Sequence, residues 1–463
     1  MEVRDRNNEA LALKDKKVLV VGLGKSGLAA CALLKEMGAQ VSLYDGNKDL
    51  ECKEMGVPVY LGSYPEDVFA SFDCAVFSPG VPTDIPLACF LREKKVPVIG
   101  EIELAYKMER GRVIGITGTN GKTTTTTLVG EILKAYNPHT FVVGNIGNPY
   151  TKEVLNSSPE SVTVAEISSF QLETISSFAP DVSAVLNITP DHLNRHKTME
   201  KYIEAKLSIT KNQGKDKLCV LNYEDKVLRE RAEELPCRVA FFSSQRRPVR
   251  TAPGKGESCL DMYKREDGSI CMAEDGRVVL NQKETRLPGD HNAENIMAAL
   301  LIAREMGVPE HMAVGVVRKF SPVEHRVEFV KTVSGVDYYN DSKGTNPDAA
   351  IKGIQSMDRP TVLIGGGYDK GADFTEWIQS FGGRVKKLLL LGQTREKIAG
   401  TAKKCGFSAY EFVDTMEEAV KAAHEIAEDG DAVLLSPACA SWDMYKSFEQ
   451  RGNQFKEYVK CLK

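Results

Sequence analysis

The stretch that decides the fold is G-I-T-G-T-N-G-K-T-T-T-T-T at residues 115–127, which follows a short apolar run. Its three glycines predict a turn whose backbone N–H groups face an oligophosphate, while Lys122 adds a cation and the Thr123 hydroxyl offers a Mg²⁺ ligand at a helix N-terminus. The strict pattern G-x-x-x-x-G-K-[ST] is missed by one place, because its first glycine would fall on Ile116. A glycine-rich turn without a ligand is the simpler alternative. The order of strand, G-K-T turn and helix favours nucleotide phosphate binding.

Length and composition describe an ordinary globular protein of several domains. A chain of 463 residues predicts about three domains, and 42% apolar with 27% charged residues is typical of that class. The net charge of −4 argues against a general nucleic-acid binder. Eleven cysteines without a C-x-x-C pair indicate reduced thiols. No signal core and no run of 18 apolar residues are present, so we expect a cytoplasmic protein without a membrane partner.

A second glycine-rich turn, G-L-G-K-S-G at residues 22–27, follows the apolar run V-L-V-V. A helical pattern, a strand at 41–44 and Asp45 come after it, which is the dinucleotide fingerprint with its acidic ribose partner. Any nucleotide diphosphate would suit these glycines equally, so NAD or FAD stays an open alternative. Further strands at 75–78 and 96–99 predict a small parallel sheet that ends near Tyr106.

The glycine-rich turn at residues 115–127 is called the cradle below. Polar residues follow each β-branched run after it, as expected where ligands bind beyond the carboxyl ends of parallel strands. Glu166 stands where an NTPase would place a metal carboxylate, and His192 offers a second ligand. A surface carboxylate and a hydrogen-bonded loop histidine are the simpler alternatives. The polar segments are G-N-I-G (144–147), E-I-S-S-F-Q-L-E (166–173) and N-I-T-P-D-H-L-N-R-H (187–196).

The middle of the chain then changes character. Turn-rich sequence between about 215 and 285, with D-G at 267 and 275, predicts hairpins. The segment L-P-G-D-H-N-A-E-N that follows predicts a helix opening on Asn292 and Asn295, where Asn292 could simply be an N-cap.

The last part opens at S-P-V-E-H-R-V (321–327) and predicts another parallel α/β sheet. Its strands are expected at 336–340, 362–364, 387–391 and 432–436, with polar segments D-S-K-G-T-N, G-G-G-Y-D-K-G and S-P-A-C-A-S-W-D after them. The fold class is therefore α/β with three domains. We expect a Rossmann-like domain at 1–107, a central P-loop ATPase-type domain with a small antiparallel portion at 108–320, and a Rossmann-like domain at 321–463.

Taken together, I-T-G-T-N-G-K-T-T, E-I-S-S-F-Q-L-E, N-I-T-P-D-H-L-N-R-H, G-D-H-N-A-E-N and H-R resemble the Mur ligases, the ATP-dependent amide ligases of peptidoglycan synthesis. Three features resemble the D-glutamate-adding branch: G-L-G-K-S-G, N-D-S-K-G-T-N and L-S-P-A-C-A-S-W-D-M-Y-K-S-F-E-Q-R-G. The resemblance implies a monomer with UDP-N-acetylmuramoyl-L-alanine, D-glutamate and ATP as substrates and an acyl-phosphate intermediate. It also implies that the first domain holds uridine diphosphate instead of NAD.

The resemblance assigns roles residue by residue. For ATP it implies Gly118, Thr119, Asn120, Gly121, Lys122, Thr123, Thr124, Asn292, Asn295, Arg326 and Asp341. For the UDP-linked substrate it implies Gly24, Lys25, Ser26, Asp45, Ser78, Gly80, Asn145, Ser168, Gln171 and His192. For D-glutamate it implies Lys343, Thr345, Lys370, Ser441 and Phe448, with Trp442 packed near the incoming amino acid in place of a common aliphatic residue.

Two Mg²⁺ sites are implied by the same resemblance. Their ligands would come from Thr123, Glu166, His192 and Lys206, and catalytic roles fall to Lys122, His192 and Lys206. Lys206 stands at the position that is carbamylated in the family, which would turn a cation into a carboxylate-like metal ligand. From its own helix pattern, K-Y-I-E-A-K-L, Lys206 could instead be a lysine that extends to water.

Two other classes of protein are alternatives. An NAD-dependent oxidoreductase would explain G-L-G-K-S-G and Asp45 but leaves the cradle at 115–127 without a purpose. A non-catalytic nucleotide sensor would need no second metal site, so Glu166, His192 and Lys206 together speak against it.

Overall fold

The computed structural model describes residues 12–50, 56–245, 260–321 and 324–462. In these ranges the chain forms two compact units. The first unit runs to Ile188 and includes Met199–Glu284 and Glu294–Lys319, and the second comprises Thr189–Thr198, Thr285–Ala293 and the residues from Phe320 onward. Cys52, Cys259 and the residues Pro322 and Val323 of the expected S-P-V opening lie outside the described residues.

The N-terminal part of the first unit is a five-stranded parallel sheet, counted over the described ranges, in the order β3-β2-β1-β4-β5. Buried V-L-V-V forms its central strand, as expected for a sheet covered on both faces. The short β3 is not among the strands expected from the sequence. The strands are β1 (Lys17–Val21), β2 (Gln40–Asp45), β3 (Val59–Leu61), β4 (Cys74–Phe77) and β5 (Val98–Gly100), and the helices are α1 (Lys25–Glu36), α2 (Glu66–Phe69), α3 (Pro86–Glu93) and α4 (Glu101–Met108).

Helix α4 joins this sheet to the rest of the first unit through buried carboxylates. Glu101 accepts hydrogen bonds from the backbone N and the hydroxyl of Thr151, at 2.6 and 2.7 Å. Glu103 accepts from three successive backbone N–H groups, those of residues 176–178. These hydrogen bonds tie α4 to the segments around Thr151 and residues 176–178, although Oε2 of Glu101 is buried without a hydrogen-bond partner in the described residues.

The second sheet of this unit has nine strands in the described residues, in the order β14-β13-β12-β11-β10-β9-β6-β8-β7. It is parallel from β7 to β12 and antiparallel at β13 and β14. The predicted hairpins are confirmed, and Gly268 and Gly276 of the two D-G pairs have positive φ. The strands are β6 (Arg112–Thr117), β7 (Thr140–Gly144), β8 (Val162–Glu166), β9 (Val182–Val185), β10 (Leu218–Asn222), β11 (Arg238–Ser243), β12 (Leu260–Lys264), β13 (Ser269–Met272) and β14 (Val278–Asn281).

The helices of this central stretch alternate with its strands. They are α5 (Lys122–Tyr136), α6 (Tyr150–Glu153), α7 (Ser169–Leu172), α8 (Leu193–His196), α9 (Met199–Leu207), α10 (Lys226–Arg231), α11 (Asp290–Glu305) and α12 (Glu310–Lys319). Short 3₁₀ turns lie at Val154–Asn156, Ser208–Thr210, Ala232–Glu234 and Gln282–Glu284. Helix α8 and the first residues of α11 belong to the second unit.

The second unit contains a sheet of six strands, counted in its described part, in the order β15-β16-β20-β17-β18-β19. The prediction of a wholly parallel sheet is wrong at one edge, because β15 pairs antiparallel with β16. Ser334 and Gly335 both have positive φ there, which is the two-residue turn that hairpins favour. The strands are β15 (Glu328–Val333), β16 (Val336–Asn340), β17 (Thr361–Gly365), β18 (Val385–Leu390), β19 (Tyr410–Phe412) and β20 (Ala432–Leu435), and the helices are α13 (Pro347–Gln355), α14 (Thr375–Gln379), α15 (Arg395–Lys404), α16 (Met416–Ile426) and α17 (Phe448–Cys461).

Two further expectations concern membrane-spanning helices and the state of the cysteines. Within the described ranges, every helix is too short or too polar to cross a lipid bilayer. The nine cysteines that the structure describes are free thiols.

Candidate active site

The glycine-rich cradle lies between β6 and α5, as the sequence predicts. Gly118 and Gly121 have φ values of +148° and +82°, and Gly121 caps α5. A Cβ on Gly121 would lie 2.4 Å from Oδ1 of Asn295. Glycine is therefore required at 121 both for its backbone conformation and for space.

The cradle is held in shape by Asn187, the first residue of N-I-T-P-D-H. Its backbone carbonyl accepts from Thr119 N at 2.9 Å, and its side-chain oxygen accepts from Asn120 N at 2.8 Å. The Asn187 amide also donates to the carbonyl of Asn120 at 3.1 Å. The role of Asn187 could not be predicted from the sequence, because its pairing with Asn120 spans 67 residues.

Two lysines of the first unit converge on one carbonyl. Lys122 Nζ donates to the carbonyls of Gly118 and Thr119 at 2.7 Å each, and Lys206 Nζ donates to the same Gly118 carbonyl at 2.7 Å. Lys206 is only 2% exposed and lies over the Tyr202 ring at 4.7 Å from its centroid. The alternative that Lys206 extends to water is therefore wrong.

Glu166 ends β8 and is 1% exposed, so the surface-carboxylate alternative is also wrong. Its Oε1 accepts from the Asn145 amide at 2.7 Å. Its Oε2 is buried and finds no hydrogen-bond partner among the residues that the structure describes. A buried carboxylate oxygen without a donor is costly, and a hard cation such as Mg²⁺ prefers such oxygens. The residues present therefore fit a metal ion here.

Three other predicted residues of the first unit, Asn295, Ser168 and Gln171, form hydrogen bonds within the protein. Asn295 Oδ1 accepts from the Thr125 hydroxyl at 3.1 Å. Ser168 and Gln171 form a reciprocal capping box at the start of α7, so their side chains are fixed before any substrate arrives.

The G-L-G-K-S-G turn of the first sheet has the geometry of a nucleotide site. Asp45 accepts from Leu23 N at 2.9 Å, and the Ser78 hydroxyl donates to the Gly22 carbonyl at 2.8 Å. A Cβ placed on Gly24 or on Gly80 would meet nothing within 4 Å, so the space beside both is open. Lys25 and Ser26 begin α1, whose N-terminus suits a phosphate.

In the second unit, a cavity of about 400 Å³ contains the predicted Lys370. Lys370 Nζ lies 2.8 Å from Oδ1 of Asp191, with both side chains 9% exposed. The Asn346 amide donates to the other Asp191 oxygen at 3.2 Å. His192 and Thr345 line the same cavity, so the structure brings three predicted residues together there.

Arg451 on α17 fixes two loops of this unit. Its guanidinium donates to the hydroxyl and the carbonyl of Ser342 at 3.0 and 2.7 Å. It also donates to the carbonyls of Cys439 and Ala440 at 3.1 and 3.3 Å. These residues adjoin the predicted Lys343 and Ser441. The E-Q-R-G motif did not predict this role of Arg451, because the acceptors lie in distant segments.

Lys343 and Phe448, both predicted for D-glutamate, are in contact. Lys343 Nζ lies 4.7 Å from the centroid of the Phe448 ring, a cation–π distance. Ser441 is 2% exposed. The Trp442 ring packs on Tyr368, with centroids 5.5 Å apart, but is 59% exposed.

Asp341 follows β16 and is buried. It accepts from the Ser436 hydroxyl at 2.7 Å and from Val327 N at 3.3 Å. Burial raises the pKa of Asp341 to about 7, although the Ser436 hydrogen bond and the charge of Arg326 act in the opposite direction.

The predicted Asn292 and its neighbour His291 lie at the start of α11. Asn292 lies inside α11 and donates to the Pro288 carbonyl at 2.7 Å, so the N-cap alternative is wrong. Burial, together with the charges of Lys352 and Arg326, lowers the pKa of His291 to about 4.

Three family models match the chain. They are the Mur ligase MurD-like N-terminal domain over residues 16–100, the Mur ligase middle domain over 116–303, and the Mur ligase glutamate ligase domain over 325–439. The chain therefore belongs to the Mur ligase family.

Similar proteins agree with this membership. The UDP-N-acetylmuramoylalanine--D-glutamate ligase of Lachnospira eligens is 51% identical over 457 residues, which cover 97% of this chain and 100% of that protein. The protein of the same name from Lachnoclostridium phytofermentans is 51% identical over 457 residues, covering 97% and 98%. The crystal structure of UDP-N-acetylmuramate-alanine ligase MurC from Thermotoga maritima shares the fold, with a TM-score of 0.60 at 19% identity over 96% of this chain and 99% of that one.

Proposed function

We propose that this chain is an ATP-dependent amide ligase that joins D-glutamate to UDP-N-acetylmuramoyl-L-alanine. The observation that carries the proposal is the cradle of Gly118 and Gly121 with Lys122 at its helix N-terminus, in a unit that also buries Glu166 with one oxygen lacking a hydrogen-bond partner in the described residues. Phosphoryl transfer needs positioning and charge neutralisation above all, and these groups supply both. The relatives named for this reaction support the choice of substrates.

The three substrates are assigned to the three domains. The open space beside Gly24 and Gly80 and the N-terminus of α1 suit the uridine diphosphate group, with Asp45 and Ser78 shaping the turn. ATP is assigned to the cradle, with Asn295, Asn292, Arg326 and Asp341 as further contacts. D-glutamate is assigned to the second unit.

Magnesium is assigned to two groups of ligands. Thr123 and Glu166 would hold one ion, and His192 together with a carbamate on Lys206 would hold the other. Bound Mg²⁺ neutralises phosphate charge and lowers the cost of phosphoryl transfer. The buried carboxylate oxygen of Glu166 supports the first assignment, and the burial of Lys206 supports the second.

The reaction then proceeds in two displacements. An oxygen of the L-alanine carboxylate attacks the γ-phosphorus of ATP, and the bond to the bridging oxygen breaks to release ADP. The amine of D-glutamate attacks the resulting acyl phosphate, and the tetrahedral intermediate expels inorganic phosphate to give the amide. Lys122, which is now held by two carbonyls, would turn its ammonium to the phosphates as they bind.

The two carboxylates of D-glutamate explain why lysines serve the acceptor site. A lysine presents a compact charge, and Lys343 and Lys370 both lie in the second unit with Thr345, Ser441 and Phe448. Lys370 already pairs with Asp191, so an incoming carboxylate would compete for an ammonium that is in place.

A substrate panel tests the proposal. ADP formation should require both UDP-N-acetylmuramoyl-L-alanine and D-glutamate, and L-glutamate or other D-amino acids should support little of it. Lys370→Met should raise the KM for D-glutamate far more than that for ATP, because a carboxylate of the bound D-glutamate would lose its counter-charge. Equal turnover with L-glutamate, or an equal rise of both KM values, would contradict the assignment.

The carbamate on Lys206 is tested separately. Lys206→Ala should abolish most activity and leave ATP binding largely intact, and ¹³CO₂ should label one lysine in the wild-type enzyme. Lys201→Ala, which changes an exposed lysine of the same helix, is the matched control and should retain activity and label. Full activity in Lys206→Ala would show that the second metal is held in another way.

A further inference from the structure

The backbone around Arg326 is strained on both sides. His325 and Val327 have φ values of +65° and +44°, in the left-handed region that favours glycine. A β-branched residue such as valine is an outlier there, and such a conformation persists only where the surrounding structure fixes it. The contacts that hold residues 324–328, called the strained segment below, therefore also fix the backbone position of Arg326.

Several contacts hold the segment from the β16 side. His325 N donates to Oε2 of Glu328 at 3.0 Å, and the Asn340 amide donates to the same oxygen at 3.0 Å. Nδ2 of Asn340 also lies 2.8 Å from Nδ1 of His325. Beyond Arg326, the backbone N of Val327 donates to Asp341 at 3.3 Å.

One ammonium group joins the two ends of the segment. Lys456 on α17 donates to Oε1 of Glu328 at 3.2 Å and pairs with the carboxylate of Glu324. The side chains of Lys456 and Glu328 are only 13% and 24% exposed, so water screens this ion pair less than it screens surface pairs, whereas Glu324 is 60% exposed. Glu324 and Glu328 flank the strained residues, and Lys456 is the cation that binds both.

Glu324, His325 and Glu328 form a cluster with the spacing of a metal site, but the ammonium group of Lys456 supplies the positive charge there. One ligand atom from each of Glu324, His325 and Glu328 lies within 4.8 Å of the other two. Lys456 already contacts both carboxylates, and Nδ1 of His325 is engaged by Asn340. The cluster is therefore better explained as a bridge made by lysine than as a cation site.

We propose that Lys456 is a positioning residue for Arg326, which it serves by fixing the strained segment that carries this side chain. The inference rests on the proposed function, because Arg326 is assigned there to ATP. Lys456 itself touches no substrate in this account. Its effect should therefore appear on the nucleotide and not on the amino acid.

Three single variants test this role. Lys456→Met should raise the KM for ATP about five- to tenfold while changing the KM values for D-glutamate and the UDP-linked substrate less than twofold. Lys456→Arg keeps the charge and should return the KM for ATP to within about twofold of wild type. Lys460→Met, which changes an exposed lysine one turn further along α17, should behave as wild type.

A double variant shows whether Lys456 acts through Arg326. In the background of Arg326→Lys, adding Lys456→Met should raise the KM for ATP less than twofold, because the group it positions has already been changed. A full five- to tenfold further rise would overturn the proposal. So would a similar rise of all three KM values in Lys456→Met with a lower melting temperature, since that would indicate general destabilisation.

Binding of a non-hydrolysable ATP analogue, measured by calorimetry, separates this inference from the proposed function. If wild-type protein forms no D-glutamate-dependent product but binds the analogue more tightly than Lys456→Met does, the proposed acceptor is wrong and the positioning role stands. Equal binding by wild type and Lys456→Met would overturn the positioning role even in an active ligase. Absence of analogue binding by wild type would overturn both.

Discussion

The cradle in the first unit is formed mainly by backbone groups, whereas the cavity in the second unit is lined mainly by side chains. The cradle is made of backbone groups in glycine conformations, and even its lysine, Lys122, is held by carbonyls of its own loop. The cavity is lined by side chains of several loops, and its ion pair joins Lys370 and Asp191, which are 179 residues apart in the sequence. A site of backbone groups is fixed by local conformation, whereas a site of side chains depends on the contacts that hold its loops.

This difference predicts where each site is sensitive. In the cradle, one added methyl group should be more damaging than the loss of a charge elsewhere, because the backbone cannot move aside. In the cavity, the most sensitive residue should be one that holds the loops and not one that faces the ligand. Single substitutions in each site, with matched controls, test this distinction.

The largest effect is expected for Gly121→Ala. The new Cβ would stand 2.4 Å from Oδ1 of Asn295, at a φ of +82° that alanine disfavours. Displaced N–H donors at a phosphate site lower turnover by about 10²-fold or more, and we expect that loss in kcat/KM for ATP.

Gly315→Ala is the matched control for this substitution. Gly315 lies within α12, and a Cβ there would meet nothing within 4 Å. Helix propensity should make this variant slightly more stable, with unchanged turnover. If Gly121→Ala kept more than a tenth of wild-type activity, the cradle would be more adaptable than its backbone geometry indicates.

The next largest effect is expected for Arg451→Met. The change removes four hydrogen bonds from buried groups that hold the loops at Ser342 and Cys439, and leaves three carbonyls without that donor. A buried hydrogen-bond acceptor that loses its donor costs about 1–3 kcal/mol, so we expect the free energy of unfolding to fall by at least that amount. We also expect a rise in the KM for D-glutamate of more than tenfold, measured beside urea unfolding.

Lys446→Met, on an exposed lysine of the same unit, should change neither quantity. If Arg451→Met altered stability alone and left the KM for D-glutamate at its wild-type value, the loops at Ser342 and Cys439 would not shape the acceptor site.

The same contrast explains how much could be predicted from the sequence. The cradle and its flanking strand and helix are encoded in contiguous residues, so residues 115–127 with the apolar run before them were enough to predict β6, the turn and α5. Glu166 could be predicted because it ends a β-branched run, which forms β8. Asn187 was missed because its hydrogen bonds to Asn120 join distant segments, although both residues stood in quoted motifs.

The second unit was harder to predict for the same reason. Lys370 was assigned by resemblance, but its partner Asp191 could not be inferred from spacing, and Arg451 was quoted without a role. The antiparallel strand β15 was missed because its S-G turn is short and its residues alternate weakly between buried and exposed. The individual site assignments and the domain boundaries at 107 and 320 remain predictions.

A smaller, pH-dependent effect is expected for Asp341. Burial raises the pKa of this carboxyl to about 7, above its value in the unfolded chain, so folding takes up a proton between about pH 4 and pH 7. Stability should therefore fall as the pH rises through that window, by up to about 1.4 kcal/mol per pH unit for one group.

Asp341→Asn should remove this slope in urea unfolding between pH 5 and pH 8. The control is Asp414→Asn, because Asp414 is an exposed aspartate of the same unit and should leave the slope as in wild type. An unchanged slope in Asp341→Asn would mean that another buried group takes up the proton.

The smallest effect is expected for Trp442→Leu, which separates the rim of the acceptor site from its interior. The Trp442 ring is 59% exposed and contacts Tyr368 at a centroid distance of 5.5 Å, whereas Lys370 and Asp191 are each 9% exposed. An aromatic pair contributes about 0.5–1.5 kcal/mol beyond the area it buries, and exposure places this one at the lower end, so the KM for D-glutamate should rise only about two- to fivefold. The melting temperature should not change, and Trp442→Tyr, which keeps an aromatic ring, should match wild type. A rise of more than tenfold in Trp442→Leu would place Trp442 in direct contact with the amino acid, and the distinction between a fixed interior and a tolerant rim would not hold.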